Sequence, residues 1–264
     1  MLDKVGEPAA VAAAVQSFVA LGDSFSEGVG DPRPDGSGCR GWADRVAEQL
    51  AVSNPGLRYA NLAIRGKLLG QVVSDQVPAA VAMRPDLVSI AAGGNDLLRP
   101  GADPDDLAQP FADAVAALAA ASGRVMVFTG FNPATFPLIR LIRGKVAAYN
   151  AHLRIIAARH DCLLIDLWSM RVLRTPALWC DDRLHMSPEG HRRVALRVCE
   201  VLGVPGDEDW RAPVAAAPAP RWLAQRRADA RWARAYAAPW IRRRLTGASS
   251  GDGMVAKRPD LLPF

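Results

Sequence analysis

Three short polar clusters stand where apolar runs of the sequence stop, and a fourth precedes the last helical pattern of the body. Gly22-Asp23-Ser24 closes the run Phe18-Val19-Ala20-Leu21, so Ser24 is the first hydroxyl beyond it. Asn61 to Gly66 follows a second run, and Gly93-Gly94-Asn95-Asp96 a third. The fourth cluster is Asp182-Arg183-Leu184-His185. Together they supply a hydroxyl, two flexible sources of backbone N–H, an amide side chain, and a carboxylate with an imidazole. These are the parts of acyl transfer: nucleophile, base, orienter and oxyanion donors. Each cluster alone is also ordinary turn chemistry. Their joint occurrence carries the reading.

Asp182 and His185 are three residues apart, and on a tight turn or helical start such residues share a face. The Asp182 carboxylate then accepts from Nδ1–H of His185 and leaves Nε2 for Ser24. Asp181 is a competing orienter. His152 and His160 fall in a helical pattern without a partner, and His191 falls inside the last helix, so all three read as structural. Several chemistries are excluded. Ser24 is followed by Phe25 and Ser26, so no Gly-x-Ser-x-Gly elbow surrounds it. No phosphate-binding loop or dinucleotide fingerprint occurs. No His or Cys spacing suggests a metal, and no cofactor is expected.

The elements that must position these residues alternate along the chain. Strands are expected at 17–21, 57–63, 86–92, 124–130 and 162–167. Helical patterns are expected at 41–51, 67–82, 103–121, 138–160 and 187–202. The residue before Pro85 ends the second helix. Asp103-Pro104 caps the third. Such alternation predicts a parallel sheet with helices on both faces and right-handed crossovers. The rim beyond the strand ends is then where a ligand binds, and the polar clusters after the strands lie on that rim.

On these motifs the sequence resembles the SGNH-hydrolase superfamily of GDSL-type esterases and lipases. Gly22-Asp23-Ser24 is similar to the first block of that family, with Phe25 where Leu often stands. Gly66 matches the second, Gly93-Gly94-Asn95-Asp96 the third and Asp182-Arg183-Leu184-His185 the fifth. Gly70 is the position most easily confused with Gly66. The resemblance spans residues 17 to about 202. It implies a flavodoxin-like three-layer α/β/α sandwich around a mostly parallel five-stranded sheet. It implies Ser24 as nucleophile, His185 as base and then acid, and Asp182 as orienter. It also implies an oxyanion hole from the N–H groups of Ser24 and Gly66 and the Asn95 amide. The substrate implied is a small-molecule acyl ester. The same scaffold serves thioesterases, carbohydrate deacetylases and acyltransferases, and a retired scaffold can serve as a binding protein. Phe25, Phe131 and Trp179 are candidates for an acyl pocket, and they serve equally well as local core.

Charge divides the 264 residues. Residues 1–204 hold 21 basic and 21 acidic side chains, whereas 205–264 hold eleven basic and six acidic. This separates a hydrolase-like body, 1–204, from a basic helical extension, 205–264. Pro213 to Pro220 reads as a linker. Residues 221–245 read as helical, with Trp232, Tyr236 and Trp240 in a stripe among arginines. The stripe either packs back on the body, lies on an anionic membrane surface, or binds a nucleic acid or protein. Nucleic acid is the least supported, because a basic patch alone is not specific. The oligomeric state is not legible. The first eight residues carry acids and lack a basic n-region, and no apolar run of membrane length occurs. A cytoplasmic location is therefore expected. Cys39, Cys162, Cys180 and Cys199 are expected as free thiols, although Cys39 and Cys180 could pair if their loops meet.

Overall fold

The computed structural model describes residues 12, 14–136, 139–215, 222–239, 242 and 249–264. Its centre is a six-stranded sheet in the order β5-β4-β3-β1-β2-β6. The first five strands are β1 (Ser17–Gly22), β2 (Arg58–Asn61), β3 (Leu87–Ala91), β4 (Arg124–Phe128) and β5 (Leu163–Ile165). All their pairings are parallel. The sixth, β6 (Arg258–Pro263), runs antiparallel to β2. The expected five-stranded sheet thus gains an antiparallel edge. Arg-Pro-Asp-Leu-Leu-Pro lacks strand alternation and carries two prolines, which only an edge strand tolerates.

Side chains alternate across the sheet as the pleat requires. Phe18, Ala20, Leu87, Met126 and Ile165 face one apolar layer with Trp42, Val46, Leu50, Val194, Val198 and Leu202. That layer packs under α2 (Gly41–Ser53) and α7 (Pro188–Leu202). Val19, Leu21, Val88, Ile90, Val125 and Val127 face the other, with Phe111, Val115, Leu118, Leu153 and Ile156. Its helices are α3, α5 (Pro104–Ala121) and α6 (Arg143–Arg159). Here α3 is helical over Leu69–Gln71 and Val77–Met83, with a π-helical insert at Val72–Gln76. A sheet buried on both faces needs runs such as Phe-Val-Ala-Leu rather than strict alternation of apolar and polar residues.

Two short helices were not expected: α1 (Ser24–Glu27) and α4 (Gly94–Leu97). Both follow strands directly, and four residues are too few to leave a helical period. The long helix expected over 138–160 begins at Arg143, after a 3₁₀ turn at Ile139–Ile142. In the extension, α8 covers Trp222–Trp232 and continues as a π-helical turn at Ala233–Ala237. Trp240, Arg243 and Arg244, and residues 216–220 of the expected linker, lie outside the described residues. Among the described residues, no helix is long and apolar enough to cross a membrane. All four cysteines are free.

His191 joins α7 to the strand-end region. Its Nδ1 accepts from the Trp42 N–H at 3.2 Å, and its Nε2 lies 3.1 Å from the Val29 carbonyl. Burial pushes this imidazole down to about 4, against the Val29 bond and the charge of Asp31, which raise it. An unfolded histidine titrates near 6.5, so in acid the unfolded chain binds this proton first. Stability is therefore lost as pH falls from about 6.5 through about 4, by about 3 kcal/mol from this residue. Urea unfolding at several pH values in that window should give a flatter dependence for His191→Gln than for the parent.

Candidate active site

The site is built from the strand ends. At the end of β1, Gly22 has φ +140°, and a Cβ there would come 2.3 Å from the Ala91 carbonyl oxygen. Only glycine permits this approach of β1 to β3. Gln76, from the π-helical insert, accepts the Gly22 N–H at 2.8 Å and donates to its carbonyl at 2.9 Å. The chain then turns at once into α1. Asp23 caps it, Oδ1 accepting the Phe25 N–H at 3.1 Å. Ser24 is the first residue of α1 and is half-buried. Among the described residues, no hydrogen bond holds its hydroxyl.

The same Asp23 reaches across to the third strand end. Its Oδ2 accepts from Asn95 Nδ2 at 3.0 Å, and that amide also donates to the Lys67 carbonyl at 3.0 Å. One side chain therefore ties the loops after β1, β2 and β3 together. Burial pushes the Asp23 carboxyl up to about 6, although the Phe25 N–H and the charge of His185 pull it down. Gly66, beside Lys67, has φ +76°, and its N–H bonds no other described group. Gly70, the alternative, lies in the helical start of α3. Glu27 fastens the Gly66 turn to α1, its carboxylate accepting the Arg65 N–H at 2.6 Å.

Asp182 and His185 sit on a tight turn rather than a helix, closed by an antiparallel bridge between Trp179 and Met186. The Asp182 Oδ1 accepts the N–H groups of Leu184 and His185, both at 2.9 Å. Its Oδ2 lies 2.6 Å from His185 Nδ1. Burial would raise this carboxyl, but its hydrogen bonds to His185 and Leu184 hold it below the usual carboxylate range. Asp181, the competing orienter, is exposed.

Ser24, Asn95 and His185 line one cavity of about 190 Å³. Phe25, Phe131 and Trp179 line it too, with the Phe131 and Trp179 rings 4.3 Å apart. Gly66 and Asp182 are not part of this lining, and Asp182 reaches it through its bond to His185. The cavity continues past Phe128 to Ile142, Val146 and Leu153. The arrangement offers a hydroxyl, an imidazole braced by a carboxylate, and amide donors at the mouth of an apolar cavity. The ties made by Asp23, Gln76 and Glu27 escaped the sequence reading. Gln76 follows Ser74 and Asp75 in the sequence, so nothing local marked it as the buried member of that polar run.

Residues 20–193 match the GDSL-like Lipase/Acylhydrolase family. The chain belongs to this family. A lipase from Streptomyces rimosus is 40% identical over 81 residues, about 30% of each chain, so the match spans less than a third of that relative's length. Among solved structures, an α/β-hydrolase enzyme from the metagenome of Lake Arreo superimposes with a TM-score of 0.62 at 22% identity. The alignment covers 73% of this chain and 97% of the other. A catalytic mutant of an acetylxylan esterase from Geobacillus stearothermophilus gives 0.62 and 22%, covering 75% and 96%. At such identity these two speak for the shared fold, a mostly parallel sheet between helical layers. The matched residues take in the clusters that follow the first and third strands and the turn that precedes α7.

In Asp182→Asn an amide would face His185 Nδ1 and impose the tautomer that cannot take a proton at Nε2. On the reading of Asp182 as orienter, ester turnover at neutral pH should fall by about 10⁴ in kcat with the fold retained. Steady-state kinetics beside circular dichroism would check both halves.

Proposed function

We propose that this protein is a serine hydrolase that cleaves carboxylic esters carrying an apolar acyl chain. The observation that carries the reading is a single cavity whose lining includes a serine hydroxyl and a carboxylate-bound imidazole, and whose remaining walls are chiefly apolar. Ser24 Oγ attacks the acyl carbon, and its proton passes to His185 Nε2. Asp182 stabilises the imidazolium that forms. The oxyanion takes hydrogen bonds from the N–H groups of Ser24 and Gly66 and from Asn95, one amide hydrogen turning from Asp23 or Lys67. Collapse expels the alcohol, which takes the proton from His185 and leaves an acyl ester on Ser24. Water, deprotonated by His185, then releases the acid and restores the hydroxyl.

The walls favour an acyl group longer than acetyl. Phe25, Phe128, Phe131, Val146 and Leu153 offer an acetyl group no hydrogen bond but offer methylenes a dry surface. Each buried CH₂ is worth about 0.8 kcal/mol, so kcat/KM should rise about fourfold per methylene until the cavity is filled. A series of p-nitrophenyl esters from acetate to decanoate reads this directly. Values that fall from acetate onward would instead favour an acetyl esterase.

Ser24→Ala should remain folded, lose turnover across the series and lose labelling by a fluorophosphonate probe. Undiminished turnover would sink the assignment. Running the series with a second alcohol present separates hydrolysis from acyl transfer through the products formed.

A further inference from the structure

The extension touches the site at two places, and both contacts fall on backbone. At one, the Trp232 indole Nε1–H donates to the Asp182 carbonyl at 3.0 Å. Beside it, Asp229 pairs with Arg183 at 2.8 Å, and the Arg183 guanidinium lies 5.0 Å from the centre of the Trp232 ring. At the other, Ser249 to Gly251 lies on the Arg65–Gly66 turn. A Cβ on Gly66 would meet Ser249 Oγ at 2.3 Å, and one on Gly251 would meet the Arg65 carbonyl at 2.1 Å. Beyond this contact, Lys257 donates to the Cys39 and Arg40 carbonyls at 3.0 and 2.8 Å and pairs with buried Asp44 at 2.7 Å. β6 then joins the sheet.

Arg183 explains why the first contact matters. It stands between Asp182 and His185 with φ +59°, in the left-handed region that an arginine seldom occupies. Holding a residue with a Cβ there is unfavourable and needs support from its surroundings. Yet this conformation bends the turn so that the Asp182 carboxylate receives both the Leu184 and His185 N–H groups and the imidazole as well. The Asp229–Arg183 pair is partly exposed, and pairs of that kind add little by themselves. The weight falls on the indole donor and on the guanidinium packed against the ring. No described residue of the extension lines the cavity.

We infer that α8 is a clamp on the Asp182–His185 turn, with Trp232 its principal positioning residue. The clamp holds the imidazole in register for proton transfer and leaves substrate binding to the cavity. The inference rests on His185 acting as the base of the proposed hydrolase, and its test includes a reading that needs no turnover.

The test compares full-length parent, Trp232→Phe, and Trp232→Phe combined with Arg183→Asn. Phenylalanine keeps a ring and removes the donor. Asparagine adopts the left-handed region readily, so it should hold the turn without the clamp. Trp232→Phe should leave KM within about twofold and lower kcat about tenfold, well inside the 10²-fold that a 1 Å misplacement can cost. The low-field proton resonance of His185 Nδ1, identified by its loss in Asp182→Asn, should weaken in Trp232→Phe through faster exchange. Adding Arg183→Asn should recover most of both. An unchanged kcat and resonance would overturn the clamp, as would a loss that Arg183→Asn does not recover. If no ester is turned over but the resonance still responds and is recovered, the clamp stands and the hydrolase reading fails.

Discussion

The close approach of β1 and β3 at Gly22 is the constraint on which the site depends. With 2.3 Å from the would-be Cβ to the Ala91 oxygen, no side chain fits there. Gly22 is the last residue of β1, paired with Ala91, and its peptide groups must be satisfied there or lose about 1–3 kcal/mol each. Buried Gln76 bonds the N–H and the carbonyl, and the Ile64 N–H also reaches that carbonyl at 3.3 Å. Because the strands meet so tightly, α1 and α4 start side by side, and Asp23 of one reaches Asn95 of the other. The proposed nucleophile, Ser24, and the proposed amide donor, Asn95, are thus set by a backbone contact, and no side-chain fit between them is needed.

A second layer of polar groups fixes what that contact leaves loose. Asp23, Glu27, Gln76 and Asp96 each bond a neighbouring segment, Asp23 by accepting from Asn95 and Asp96 by accepting the Leu69 N–H, both at 3.0 Å. Such groups are costly to bury and worth keeping only if fully satisfied. Asp23 shows the cost, since burial lifts its carboxyl to about 6 and ionising it near neutral pH works against folding. The rim at these strand ends is held at some expense to stability.

The five parallel strands were legible because each is a short apolar run ended by glycine, asparagine or a polar turn. Ser24, Asn95, Asp182 and His185 were legible as types and spacings, and the structure gathers them at one rim. Gly66 was legible only through resemblance, since its left-handed turn has no local signature that separates it from Gly70. Other features were hidden for physical reasons. α1 and α4 are too short for a helical period. The π-helical insert in α3 leaves the apolar pattern intact. β6 depends on an open edge at β2, which its own residues do not announce. The contact of Trp232 with Asp182 joins residues 50 apart in sequence, and nothing local encodes it.

That edge has a consequence for assembly. Arg258 and Tyr59 meet across 199 residues of chain. Pairings of such span form late, because loop closure must come before any reward. During synthesis β2 emerges early and waits with a row of unpaired backbone groups, an invitation to strands of other chains. The segment that closes it also carries the Ser249–Gly251 contact to the Gly66 turn. A growing polypeptide would therefore hold Ser24 long before the Gly66 turn has its neighbour and the β2 edge its cover.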